Sequence, residues 1–360
     1  MSSREDRPTL LRPPEPDPNK SPIEHVLEVT ELAVLGPDIF TNTRLPWQPP
    51  GARGIFGGVV ISQCLASAQK TVPDDFLPHS CHCYFLLAGS RDIPILYHVE
   101  RVRDGRSFAT RTVQARQRGR CIFTTTISFA RVPDDNDSSS SSRRTISHAA
   151  PLPPGVLDTV PADDHHDPLQ PGADSRRPLQ STAMITTPVE PGEKGEPAHR
   201  RSRTWIRARG KLSPEGGRRA HLDALAYMSD SFMLGTVIRA NNAWGHRLTP
   251  REVDALPEPQ RSEVVRELER TGLGSTLEEW EARPRLGMMV SLDHSIYFHE
   301  PRRVRADEWM FCEYDSPWAG EERGLVIQRV FAKDGTLLAS CVQEGVVRLN
   351  QDGTEQGSKL

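Results

Sequence analysis

The chain has 360 residues, of which 45 are basic and 48 acidic, for a formal net charge of -3. That balance argues against a nucleic-acid partner held by a basic field and leaves small anionic ligands open. The length exceeds one typical domain, so two domains with connectors are expected. No run approaches the roughly 18 apolar residues of a membrane helix. The charged, proline-rich first 22 residues are unlike a secretory signal, so a soluble intracellular protein without a membrane span is expected.

In chain order, residues 1–22 lack periodicity and read as a mobile tail, with order expected from Ile23. From Gly57, the string GGVVISQCLASAQKTV sets Ile61, Cys64, Leu65, Ala68 and Val72 at helical spacing and stops before Pro73. Gly57 and Gly58 at its start either open the helix N–H groups to a carbonyl or phosphate oxygen or only permit tight packing. Strands are expected at His79–Leu87, Ile93–Val102, Phe108–Gln117 and Cys121–Val132, with turns at Asp104-Gly105 and Arg118-Gly119.

Residues 134–185 open with serine at 138–142, turn rich in Pro, Asp and His, and read as a largely disordered linker. Order should return by Trp205. Leu222, Leu225, Ala226, Ser229, Met233 and Val237 then mark a second amphipathic helix, with Asp230 at the edge of the stripe. An acid in that position is partly desolvated, which raises its pKa and makes its ionised form a better base. Residues 246–286 read as a charged insertion with a short helix at Glu258–Arg270. Strands follow at Met288–His299, Trp309–Tyr314, Gly324–Phe331 and Leu337–Leu349. A helix followed by four strands thus occurs twice, with Tyr84-Phe85 and Tyr297-Phe298 in matching places.

The stretch Met288–His299 carries polar groups among apolar ones. On a period of two, Ser291, Asp293, Ser295 and Tyr297 share one face and Leu292, His294, Ile296 and Phe298 the other. Such a strand either lines a polar pocket or belongs to an exposed sheet. The six cysteines (Cys64, Cys81, Cys83, Cys121, Cys312, Cys341) form no C-x-x-C pair and read as free thiols. His79, Cys81 and Cys83 would share a strand face, but a fourth ligand at suitable spacing is missing, so no metal is expected.

Several strings make the chain resemble the type II acyl-CoA thioesterases, the family of bacterial thioesterase II and the peroxisomal acyl-CoA thioesterases. They are FGGVV at Phe56–Val60, HSCHCYFL at His79–Leu86, RVRDGRSFATR at Arg101–Arg111, LAYMSD at Leu225–Asp230, VSLDHSIYFH at Val290–His299 and VQEGVVR at Val342–Arg348. The resemblance covers residues 23–133 and 186–350 and leaves 351–360 as a tail. It implies an α+β double hotdog, two tandem units that each pack a long helix on an antiparallel sheet. It also implies an active site of Asp230, Ser291 and Gln343, with an acyl-CoA substrate and no separate cofactor, since CoA is part of the substrate.

Those residue types suit attack by water rather than by serine, because no G-x-S-x-G elbow occurs and Ser291 has no assured histidine base. Asp230 would take the proton while Ser291 and Gln343 orient the water, and helix N–H groups would hold the thioester oxygen as it becomes an oxyanion. Gly57, Gly58, His79 and His294 are further substrate-binding candidates. A hotdog acyl-CoA hydratase and a non-catalytic acyl-CoA binding protein are the alternatives. The terminal Ser358-Lys359-Leu360 reads as a peroxisomal address, which implies an import receptor as partner. The tandem repeat leaves room for a homo-oligomer.

Overall fold

The computed structural model describes residues 13–49, 52–132, 146–162, 178–188, 196–246 and 248–351. The first half runs α1 (Pro22–Leu27), β1 (Val29–Glu31), β2 (Ile39–Asn42), α2 (Gly57–Gln69), β3 (Phe76–Phe85), β4 (Leu96–Asp104), β5 (Phe108–Gln117) and β6 (Arg120–Arg131). The second runs β7 (Leu179–Ser181), β8 (Ile185–Pro188), β9 (Arg200–Ala208), α3 (Gly217–Ser229) and α4 (Gly235–Ala240). Then come α5 (Pro250–Asp254), α6 (Gln260–Arg270), α7 (Leu277–Glu281), β10 (Leu286–Ser291), β11 (Asp293–Phe298), β12 (Met310–Gly320), β13 (Arg323–Phe331) and β14 (Leu337–Leu349).

The strands form one antiparallel sheet in the order β1-β2-β4-β5-β6-β3-β11-β14-β13-β12-β9-β7, with β10 paired to β14 and β8 to β9. The seam between the halves is β3 against β11, where His82 pairs with Ser295. α2 and α3 are each 13 residues long. Every residue of α2 from Gly58 to Gln69 is buried, because α2 is covered by the sheet on one side and by α1 and α3 on the other. The two helices run antiparallel: the start of α2 meets the end of α3 through Gly58 and Asp230, and Arg219 in the first turn of α3 reaches the carbonyl of Val72 beyond the end of α2.

Strict alternation fails at several points, and two of them, one in each half, bear on the expected site residues. Ser291 pairs with Gly345 and Ser295 with Val342, so four steps on one strand face three on the other. The extra residue is a bulge at Leu292, and it turns Ser291 onto the same inner face as His294, the reverse of the period-two expectation. A matching bulge lies at His79, since Pro78 pairs with Phe129 and Ser80 with Ser128. His79 accordingly faces outward toward Ser128, while Cys81 and Cys83 turn inward onto Thr125. The three do not share a face.

Other expectations also shift. The second helix is broken in two, because Phe232 adopts φ 67 and turns the chain between α3 and α4. Residues 13–21, read as part of a mobile tail, are tied down: Arg44 donates to the carbonyl of Pro14, and buried Ser21 caps α1 with Glu24. Within the expected linker, β7 pairs with β9, and Val156 is buried against Trp205, Trp309, Phe311 and Phe331. Its remaining stretches, 134–145 and 163–177, lie outside the described residues. The insertion has its own small core of Trp244, Val253, Leu268 and Trp280.

Candidate active site

Asp230 is the C-cap residue of α3, carried there by a helix whose residues from Leu222 to Ser229 are buried. Gln343 lies on the inner face of β14 between Cys341 and Gly345, all three buried. Ser291 closes β10 and reaches the same face through the Leu292 bulge. The Gln343 amide nitrogen joins the other two, donating to Asp230 Oδ1 at 2.9 Å and to Ser291 Oγ at 2.8 Å. Gly58 N–H, at the start of α2, donates to the other carboxyl oxygen, Oδ2, at 2.9 Å. The site is therefore assembled from both halves of the chain.

Glycines make this approach possible. A Cβ on Gly57 would stand 2.7 Å from Asp230 Oδ2 and 2.7 Å from the Phe85 ring, and one on Gly58 would overlap the Tyr227 carbonyl oxygen. A Cβ on Gly345 would overlap Leu234. Phe85 thus lies close to the carboxyl, while Phe56 and Leu234 fill the space against Gly58 and Gly345; the Phe56 ring packs edge-on to Tyr227 with centroids 5.1 Å apart.

Electrostatics follow from that enclosure. Burial raises the Asp230 pKa to about 7, against the pull of the hydrogen bonds from Gln343 and Gly58. None of these causes is a charged side chain. His294, fully buried, has its pKa pushed down to about 3 by the same loss of water. It stays neutral near neutral pH and is no proton store there. Asp230 alone among these groups changes charge near neutral pH, where a general base is most useful.

Asp230, Ser291 and Gln343, expected together, do meet. Gly58 is present but differently engaged: its N–H holds the carboxylate rather than standing open for a substrate oxygen. Gly57 abuts Asp230 Oδ2. His294 stands across the β11–β14 ladder from Gln343 and contacts Ser229, the neighbour of Asp230. His79 is not part of the cluster; its partners are Ser128 and the Phe108 ring. Ser358, Lys359 and Leu360 lie outside the described residues. Sequence reasoning missed Gly345, whose only signal is its place two residues after Gln343, and Ser229, which looks like one more position of a buried stripe.

A desolvated carboxyl is thus bridged through an amide to a hydroxyl, with both halves of the chain contributing to the cluster. The acyl-CoA thioesterase N-terminal domain family matches residues 43–130, and the acyl-CoA thioesterase C-terminal domain family matches residues 157–347. Human acyl-coenzyme A thioesterase 8 is 35% identical over 346 residues, covering 93% of this chain and 92% of its own. The peroxisomal acyl-coenzyme A thioester hydrolase 1 of Saccharomyces cerevisiae is 26% identical, covering 91% and 96%. The acyl-CoA thioesterase II TesB2 structure from Mycobacterium marinum superposes with a TM-score of 0.59 at 28% identity, covering 93% and 99%. The chain belongs to the type II acyl-CoA thioesterase family. It is an acyl-CoA thioester hydrolase of the α+β class.

Proposed function

We propose that this enzyme, built as a double hotdog, cleaves acyl-CoA to free acid and CoA with a water molecule activated by Asp230. The observation that carries the reading is the Gln343 amide bridging Asp230 Oδ1 at 2.9 Å and Ser291 Oγ at 2.8 Å. Ionised Asp230 removes a proton from water as the oxygen attacks the thioester carbonyl carbon. The tetrahedral intermediate then collapses with loss of the C–S bond, and the leaving thiolate takes the proton back from Asp230. Ser291 accepts from Gln343, so its own hydroxyl proton is left to orient the water or meet the developing oxyanion. Both amide hydrogens of Gln343 are used on Asp230 and Ser291; Gln343 braces the pair rather than binding water itself.

The terminal Ser358-Lys359-Leu360 and the likeness to the yeast peroxisomal thioester hydrolase support a peroxisomal location reached through an import receptor. Release of thiol from a panel of acyl-CoA substrates tests the function. In that assay Asp230→Asn should lower turnover by roughly 10²–10⁴-fold while substrate binding persists. Near wild-type turnover by this variant would reject Asp230 as the base.

A further inference from the structure

The protons around Gln343 involve a residue outside the reacting groups. With both amide hydrogens on Asp230 and Ser291, Gln343 Oε1 points away from the carboxylate, buried and with no hydrogen-bond partner at ordinary geometry. Leaving a buried amide oxygen without a donor forfeits its hydration with nothing in return. Turning the amide over would set Oε1 against the ionised carboxylate.

Across the ladder stands His294. Ser295 pairs with Val342, which places His294 opposite Gln343. The imidazole is fully buried, its Nδ1 is also unpartnered, and its Nε2 lies 2.9 Å from Ser229 Oγ. The Ser229 hydroxyl has one proton, with the Ala226 carbonyl at 2.8 Å, His294 Nε2 and the weakly hydrogen-bonding Cys341 thiol in reach. Its choice decides the tautomer. If Nε2 carries the ring proton, two lone pairs, Nδ1 and Oε1, are left facing each other. If Ser229 donates to Nε2, the ring proton sits on Nδ1 and Oε1 gains its donor.

We propose that His294 is a positioning residue: as the Nδ1–H tautomer it accepts from Ser229, donates toward Gln343 Oε1, and thereby keeps the Gln343 nitrogen turned to Asp230 and Ser291. The ring remains neutral while Asp230 titrates, because burial holds its pKa at about 3. No proton is transferred. The inference rests on the proposed role of Asp230 as the base.

Three substitutions in the full chain separate the roles of the ring nitrogens. His294→Asn keeps a donor where Nδ1–H stands, His294→Gln keeps a polar group nearer Nε2, and His294→Leu keeps neither. His294→Asn should retain kcat within about threefold, whereas Gln and Leu should lose about 10–100-fold in kcat with little change in KM. In the latter two the pH midpoint of kcat should also rise, since a loose Gln343 no longer stabilises the Asp230 carboxylate. Equal losses for Asn and Gln, wild-type kcat for Leu, or a kcat loss with an unmoved pH midpoint would overturn the proposal. Nitrogen NMR of labelled histidine in the unsubstituted enzyme reads the tautomer directly: a protonated Nδ1 and bare Nε2 at His294 are expected, and the reverse refutes it. Failure of the underlying reading is distinct, because an active Asp230→Asn enzyme rejects the base whatever His294 does.

Discussion

Gly58, in the first half of the chain, donates its backbone N–H to Asp230 Oδ2, in the second half, across 2.9 Å. The N-terminal end of α2 thus faces the carboxylate at the C-terminal end of α3, and the positive end of a helix favours an anion. This contact favours the ionised form of a carboxyl that burial otherwise holds neutral. Gly58→Ala would drive a methyl into the Tyr227 carbonyl and push the helix start away. Its kcat should fall by about tenfold or more, and the pH midpoint of kcat should move upward, because Asp230 loses a stabilising donor. An active Gly58→Ala enzyme with an unmoved pH profile would show that this contact is incidental.

The pH dependence of activity and of stability should run in opposite directions. Activity should climb as Asp230 ionises through about 7. Its pKa in the folded state is raised above the unfolded value, so the folded state binds more protons between the two, and stability contributed here is lost as pH rises through the folded pKa. Asp230→Asn removes that loss. The difference in melting temperature, variant minus wild type, should therefore grow in favour of the variant from acid to slightly alkaline pH. A constant difference across that range would contradict the raised pKa.

The segment around Val156 should matter for folding but not for chemistry. Trp205 Nε1 donates to Thr159 Oγ1 at 3.0 Å, and Val156 covers the cluster of Trp205, Trp309, Phe311 and Phe331. Thr159→Ala should cost about 1 kcal/mol of stability through the lost hydrogen bond. Val156→Asp, which buries an unpaired charge, should cost more and redshift tryptophan emission. Turnover at low temperature should be retained in both; loss of turnover with an intact melting curve would tie this segment to the site.

Truncation of Ser358–Leu360 should abolish peroxisomal co-localisation in cells and leave kcat unchanged, since such a tripeptide is read by a receptor and bears no catalytic group. Continued import of the truncated chain would place the address elsewhere.

How much of this could be read in advance follows element by element. The long strands β5, β6, β13 and β14 announce themselves because each buries one regular face, so their apolar spacing is set by local geometry, while α2, buried on all sides, shows as an apolar and small-residue run that stops before Pro73. The three-residue strands β1 and β7 are too short to show a period. Val156 and Thr159 are isolated residues in a polar stretch, and only the tryptophan cluster they cover reveals their use. The bulges at Leu292 and His79 are invisible to alternation, which is why Ser291 was expected on the face opposite His294. Asp230 at the edge of the stripe was legible as a partly desolvated acid. Its partners Ser291 and Gln343 stood out only through the matching strings, because a Ser in a strand and a Gln near a chain end are ordinary taken singly.

The central claim is that water, not a side chain, attacks the thioester. A single turnover with enzyme in excess, run in water carrying the heavy oxygen isotope, tests it most directly. Attack by activated water places one heavy oxygen in the released fatty acid in the first turnover and leaves the peptide containing Asp230 unlabelled. An unlabelled acid together with heavy oxygen in the Asp230 carboxyl would mean that Asp230 had formed an acyl anhydride, and would contradict the account.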